Sequence, residues 1–96
     1  SMDELKGYGD SLLTVLRSGV GVLGAEAEKP SVVVVVSQDL VKSGLKAGDL
    51  AELIGNEMGG GGGGKPHLAT AGGQDAKGLK SAMAKSLSII KKVIQE

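Results

Sequence analysis

Five consecutive valines at residues 32–36 set the strongest constraint on what this chain can fold into. β-branched side chains favour extended backbone, and a run without polar alternation offers apolar groups to both faces of a sheet. Residues 31–37 are therefore read as a central strand covered on both faces. Residues 20–27 form a second extended run with Val20, Val22 and Gly24 on one face. Glu28, Lys29 and Pro30 turn the chain between the two runs and make them a hairpin.

The other elements follow from periodicity. Residues 3–18 repeat Leu5, Tyr8, Leu12, Val15 and Leu16 at three- and four-residue spacing, with Asp3 as cap, and predict a helix ended by Gly19. Gly7 and Gly9 weaken its first turns. After the valines, residues 38–46 predict a short helical turn closed at Gly44. Gly48 and Asp49 open a further helix with a buried stripe of Leu50, Leu53, Ile54 and Met58. Residues 66–71 are short and extended, and Gly72 and Gly73 turn the chain again. Asp75 then caps a last helix whose face is Leu79, Met83, Leu87, Ile90 and Ile94.

The expected fold class is α+β. The reading is a two-layer arrangement in the order α-β-β-α-β-α, with a small mixed sheet covered by the last two helices and a glycine-rich loop. At 96 residues the chain makes one small domain. Its expected divisions are Ser1–Met2 as an expression scar, residues 3–18 as a leading helix serving as connector or oligomer contact, and residues 19–96 as the globular unit.

Residues 59–64 are six consecutive glycines, followed by Lys65, Pro66, His67 and, after a short apolar run, Gly72 and Gly73. Ordering so many glycines is entropically costly, so a folded domain should need them for a turn, a close approach or a ligand. A flexible linker is the plainer alternative, but too little chain remains after Gly64 to make a second domain. Successive glycine N–H groups can also line an anion-binding concavity. Two phosphate-loop patterns fail. Pro66 stands where a nucleotide hydrolase loop needs Ser or Thr, and the G-x-G-x-x-G spacing is met only because every position is glycine, after a helix rather than a strand.

The inventory for catalysis is thin. His67 is the sole histidine and cysteine is absent, so cysteine-ligated zinc, disulfides and thiol nucleophiles are excluded. No catalytic or metal-binding set is assigned, and His67 is read as a polar ligand contact or a surface residue. With no Phe, no Trp and one Tyr, base stacking on aromatic platforms is excluded as well. The cysteine-free composition fits a reducing cytoplasm, the expected setting; no membrane-length apolar run or signal peptide is read, and no membrane partner is expected. The formal net charge is zero, yet residues 59–96 carry six Lys against two acids, whereas residues 1–58 carry five Lys/Arg against nine acids. The glycine half thus suits an anionic partner. Lys65, Lys77 and Lys80 are its candidate electrostatic contacts, with the Gly72–Gly73 turn before a helix N-terminus as a second anion-favouring element.

The stretch GGGGGGKPHLATAGG, followed by Gln74 and Asp75 and an amphipathic helix, resembles the C-terminal domain of bacterial-type alanyl-tRNA synthetases. The preceding VGVLGAEAEKPSVVVVVSQDLVKSGLKAGDLAELIG resembles the same domain, which belongs to the DHH-associated family. A related domain accompanies DHH phosphoesterases, where the motif often runs G-G-H-x-x-A; Lys65 and Pro66, placed between the glycines and His67, favour the synthetase. The resemblance implies a noncatalytic module that binds the outer corner of alanine-specific tRNA, where the D and T loops meet, and aids aminoacylation and editing. It implies ATP, Mg and Zn for the parent enzyme and none for this piece. The implied partners are tRNA and the rest of the synthetase chain, with homodimerisation in some members. Gly61, Gly62, Gly63, Gly64, Lys65, His67, Gly72, Gly73, Gln74, Lys77 and Lys80 are the candidate nucleic-acid contacts. The alternatives are a substrate-binding accessory domain of a DHH-family phosphoesterase or single-strand exonuclease, and a purely structural or dimerisation domain.

Overall fold

The computed structural model describes residues 2–15, 18–26, 30–73, 81–86, 88, 90 and 91. Helix α1 (Met2–Val15) leads into the hairpin of β1 (Val20–Glu26) and β2 (Pro30–Val36). Helices α2 (Gln38–Lys42) and α3 (Ala47–Glu57) follow, then strands β3 (Gly61–Gly64) and β4 (Leu68–Gly72). Residues 81–86 are helical, as are 88, 90 and 91. Gln74, Asp75, Lys77, Leu79 and Lys80 lie outside the described residues, as do Leu87 and Ile94 of the expected last stripe.

The four strands form one sheet in the order β1-β2-β4-β3. Every neighbouring pair is antiparallel, with Val20 opposite Val36, Val34 opposite Ala69, and Gly63 opposite Thr70. This corrects the expected mixed sheet. Residues 61–64 of the glycine run are a strand where a loop is expected, and that strand reverses the chain once more before β4 is laid down. β2 and β3 consequently run in the same direction, joined by the helical crossover, with β4 inserted between them.

Alternation along the valine strand divides the interior in two. Val32, Val34 and Val36 join Leu50, Ala51, Ile54, Met58, Ala69, Ala71 and Ala82 in the larger core, with Met83 and Ile90 packed against it. Val33 and Val35 face the opposite way and meet Leu5 of α1, with Leu12, Leu23 and Leu68 alongside. The expectation of two layers is corrected by this second core: α1 lies on the free face of the β1–β2 hairpin and makes a third. Gly9 permits the approach, since a Cβ there would stand 2.8 Å from Val33 Cγ1. The buried face of α1 thus runs through Leu5, Gly9 and Leu12, which turns Tyr8 outward to 66 % exposure. Leu53 departs from its expected stripe for a similar reason. Ala47, Ala51 and Gly55 are the small residues α3 buries, so its inner face is rotated away from Leu53.

Three local devices fix the connections. Gly44, at φ +106°, closes the turn after α2, where the Leu45 N–H donates to the Leu40 carbonyl. α3 stops in a Schellman arrangement: Gly59 has φ +73°, its N–H donates to the Asn56 carbonyl, and the Gly60 N–H donates to the Gly55 carbonyl. At the far end of β2, the Gly19 N–H donates to Ser37 Oγ, and the Ser37 N–H donates to the Gly19 carbonyl. The hydroxyls of Ser18 and Ser37 both donate to the Asp39 carboxylate. These two bonds, Ser18 first, hold the Asp39 carboxyl below its ordinary value.

Candidate nucleic-acid interface

Helix α3 presses on the glycine strand at main-chain distance. A Cβ on Gly48 would lie 3.0 Å from the Gly64 carbonyl oxygen, and one on Gly55 would lie 2.5 Å from that of Gly61. From the other side, a Cβ on Gly62 would lie 2.8 Å from the Ala51 carbonyl carbon, and one on Gly64 would lie 2.7 Å from Ala69 Cα. A side chain at residue 62 would therefore force α3 and the sheet apart, and one at residue 64 would push β3 from β4. Gly73 is consumed in the same way, buried with its Cβ position 2.6 Å from Met58 Cβ.

Gly61 and Gly63 alternate to the other face, where a Cβ would meet nothing within 4 Å. By register this is the face of Thr70, Gly72 and Leu68, the one that α1 shares. α1 covers β1 and β2, and leaves the β4–β3 half of that face open. All four β3 residues are exposed. The result is a patch whose floor is bare main chain, at a sheet edge where, among the described residues, β3 pairs with β4 alone.

The β3–β4 turn holds the charged rim of this patch in place. The Lys65 N–H donates to the Leu68 carbonyl at 3.0 Å, closing the hairpin around Pro66 and His67. Both turn carbonyls are anchored: that of Pro66 accepts from the Ala47 N–H at 2.8 Å, and that of His67 accepts from the Val36 N–H at 3.0 Å. Lys65 is exposed and His67 half-buried. Beneath them opens a cleft of about 350 Å³, with Gly63, Gly64, Lys65, His67 and Thr70 on one side and Lys6 and Asp10 of α1 on the other.

Of the residues singled out from the sequence, the structure gathers Gly61, Gly63, Lys65 and His67 on one side of the sheet, with half-exposed Gly72 at the same face. Gly62 and Gly64 belong to the same strand but turn their missing side chains toward α3 and β4, and Gly73 is interior. Lys6 and Asp10 escape a sequence reading in which α1 is a connector or oligomer contact. Their four-residue spacing, on the flank of the Leu5–Gly9–Leu12 face, is the available signal. No group of three or more His, Asp or Glu among the described residues could hold a metal ion. No helix among them is long and apolar enough to cross a membrane.

The DHHA1 domain model matches residues 1–96. The chain belongs to the DHHA1 family. This DHHA1 domain is 43 % identical over 90 residues to the alanine–tRNA ligase of Pelotomaculum thermopropionicum, covering 93 % of the chain and 10 % of that relative. It is 47 % identical over 88 residues to the alanine–tRNA ligase of Salinibacter ruber, covering 86 % of the chain and 9 % of the relative. The domain thus spans about a tenth of the length of the curated relatives it matches. Its fold is similar to the crystal structure of the C-Ala domain from Aquifex aeolicus alanyl-tRNA synthetase, with a TM-score of 0.79 and 25 % identity over 91 % of this chain and 78 % of that one.

Proposed function

We propose that this DHHA1 domain is the noncatalytic tRNA-binding module of an alanine–tRNA ligase, contacting the outer corner of the tRNA and aiding aminoacylation and editing. The observation that carries the reading is the open half-face floored by the main chain of Gly61 and Gly63 and rimmed by Lys65 and His67. A surface without side chains admits a bulky, flat or curved partner closely, and lysines at its rim supply attraction to phosphates. Kinship with alanine–tRNA ligases makes tRNA the partner of choice. On this reading the module works in the cytoplasm beside the rest of the synthetase chain, and ATP, Mg²⁺ and Zn²⁺ serve other domains of the parent. Self-association is a separate arm of the same reading, read out by the oligomeric state.

The test is binding of this chain to folded alanine tRNA and to an unstructured RNA of equal length, each across a salt series. Preference for folded tRNA is expected. Replacing Lys65 and Lys77 by Ala should weaken binding and reduce the slope of log K against log salt by up to about 2, near one for each phosphate that is no longer neutralised. Preference for single strands would point instead to a phosphoesterase accessory domain, and binding to neither RNA would leave a structural role.

A further inference from the structure

We infer that the cleft between α1 and the β3–β4 turn takes a single nucleotide unit of the bound RNA, with Lys6 and Lys65 meeting its phosphate and Asp10 accepting a hydrogen bond from its nucleoside. This rests on the RNA-binding reading above and adds α1 to the binding surface. The cleft measures about 350 Å³, within the range of sites for small organic groups, roughly 300–1,000 Å³. Its floor at Gly63 is main chain, and Thr70 and His67 add half-buried polar groups to the wall.

Asp10 is the informative member. A site meant for phosphate alone gains nothing from a carboxylate beside its lysines, because like charges repel the ligand. Pairing within the helix does not account for it either. Lys6 and Asp10 are four residues apart with the base first, the weaker orientation, and among the described residues neither side chain makes an ion pair or hydrogen bond. Lys65 is likewise unpaired among the described residues. Two cations and one acceptor, unpaired among the described residues, around a common cleft match a ligand that is anionic at one end and rich in hydrogen-bond donors at the other. A nucleotide has that pattern: phosphate oxygens on one side, and a ribose hydroxyl or a base amine on the other.

The decisive comparison sets Asp10→Ala against Glu52→Ala, measured by binding to folded alanine tRNA. Glu52 is exposed on α3, outside the cleft, and each substitution removes one negative charge. Charge alone would make both variants bind as tightly as the parent or tighter. A nucleoside contact makes Asp10→Ala bind about tenfold more weakly, the size of one missing charge-assisted hydrogen bond, while Glu52→Ala does not lose affinity. Lys6→Ala should also weaken binding and shorten the salt slope by about one. Unchanged or tighter binding by Asp10→Ala, with Lys65→Ala still weakened, overturns the cleft assignment and leaves the RNA-binding reading standing. Failure of the unsubstituted chain to bind tRNA overturns both. NMR titration with guanosine, deoxyguanosine and inosine 5′-monophosphates separates the donors: a weaker response to the deoxynucleotide assigns the ribose hydroxyl, and a weaker response to inosine assigns the base amine. Equal responses of the parent and Asp10→Ala to all three nucleotides also overturn the assignment.

Discussion

Substituting Gly62 and Gly63 separately by Ala separates glycines required by the fold from those facing the ligand surface. At residue 62 the new methyl would stand 2.8 Å from the Ala51 carbonyl carbon and 2.8 Å from the Thr70 oxygen, inside the 3.4 Å at which ordinary contact begins. Both obstacles are backbone, of a helix and of a neighbouring strand, so neither can swing aside as a side chain would. Overpacking of this kind costs about 1–3 kcal/mol. The upper end is expected here, and for a domain of this size that lowers Tm by on the order of 10–20 °C. At residue 63 the methyl meets nothing within 4 Å, and the residue's φ lies outside the left-handed region. Restricting the unfolded chain should then stabilise the fold by about 0.4–1 kcal/mol, raising Tm by a few degrees. Thermal melts by circular dichroism read the stability, and tRNA binding of Gly63→Ala reads the function: the fold is kept, and affinity falls because the methyl rises from the floor of the patch. Equal melting temperatures for the two variants would refute the alternation on which the surface is built.

Gly55→Ala is expected to destabilise as Gly62→Ala does, by about 1–3 kcal/mol in chemical denaturation, because its Cβ would lie 2.5 Å from the Gly61 carbonyl oxygen. Leu50→Ala should cost about 2–5 kcal/mol by the same measurement, since Leu50 is fully buried in the larger core. Asp39, whose pKa is lowered by the Ser18 and Ser37 hydroxyls, contributes stability that is present above its unfolded value and lost as pH falls through the lower folded one. Asp39→Asn should therefore narrow the stability difference between neutral pH and about pH 3, and an unaltered acid unfolding profile would show that the Ser18 and Ser37 bonds to Asp39 add no stability. Glu57→Gln breaks the 3.0 Å pair with Lys85, but both partners are solvent-exposed, so a change of less than about 1 kcal/mol is expected.

The features legible in the sequence are those written in side chains. Val32–Val36 announce a strand covered on both faces, and each face indeed carries its own core. Yet the same valines already require cover on the α1 side, which a two-layer arrangement does not supply. Strand β3 is invisible because alternation cannot be seen in a run of one residue, and glycine disfavours strands when considered locally. Its pairing with β4 and its contact with α3, both tertiary, define it. Without β3, the direction of β4 and hence the antiparallel sheet cannot be inferred. Gly9, Gly48 and Gly55 look locally like helix-weakening or punctuating residues, although what they contribute is the absence of a side chain where chains meet closely. In the candidate site, Lys65 and His67 can be named because they adjoin the glycines. Lys6 and Asp10 arrive from the opposite end of the chain, a juxtaposition that no local pattern encodes.

The Schellman stop of α3 and the press of that helix on the glycine strand also bear on how the domain opens. β3 has no side chains with which to hold itself down, so its ladder to β4 persists only while α3 rests on it. Amide hydrogen exchange should accordingly find the β3 amides that bond β4 opening together with the amides of α3, ahead of the slower β1–β2 hairpin. Exchange of β3 at a rate unrelated to α3 would contradict that coupling. Where it holds, the lifetime of the open glycine face is set by a helix on the opposite side of the sheet, and a change that loosens α3 alters the surface without touching it.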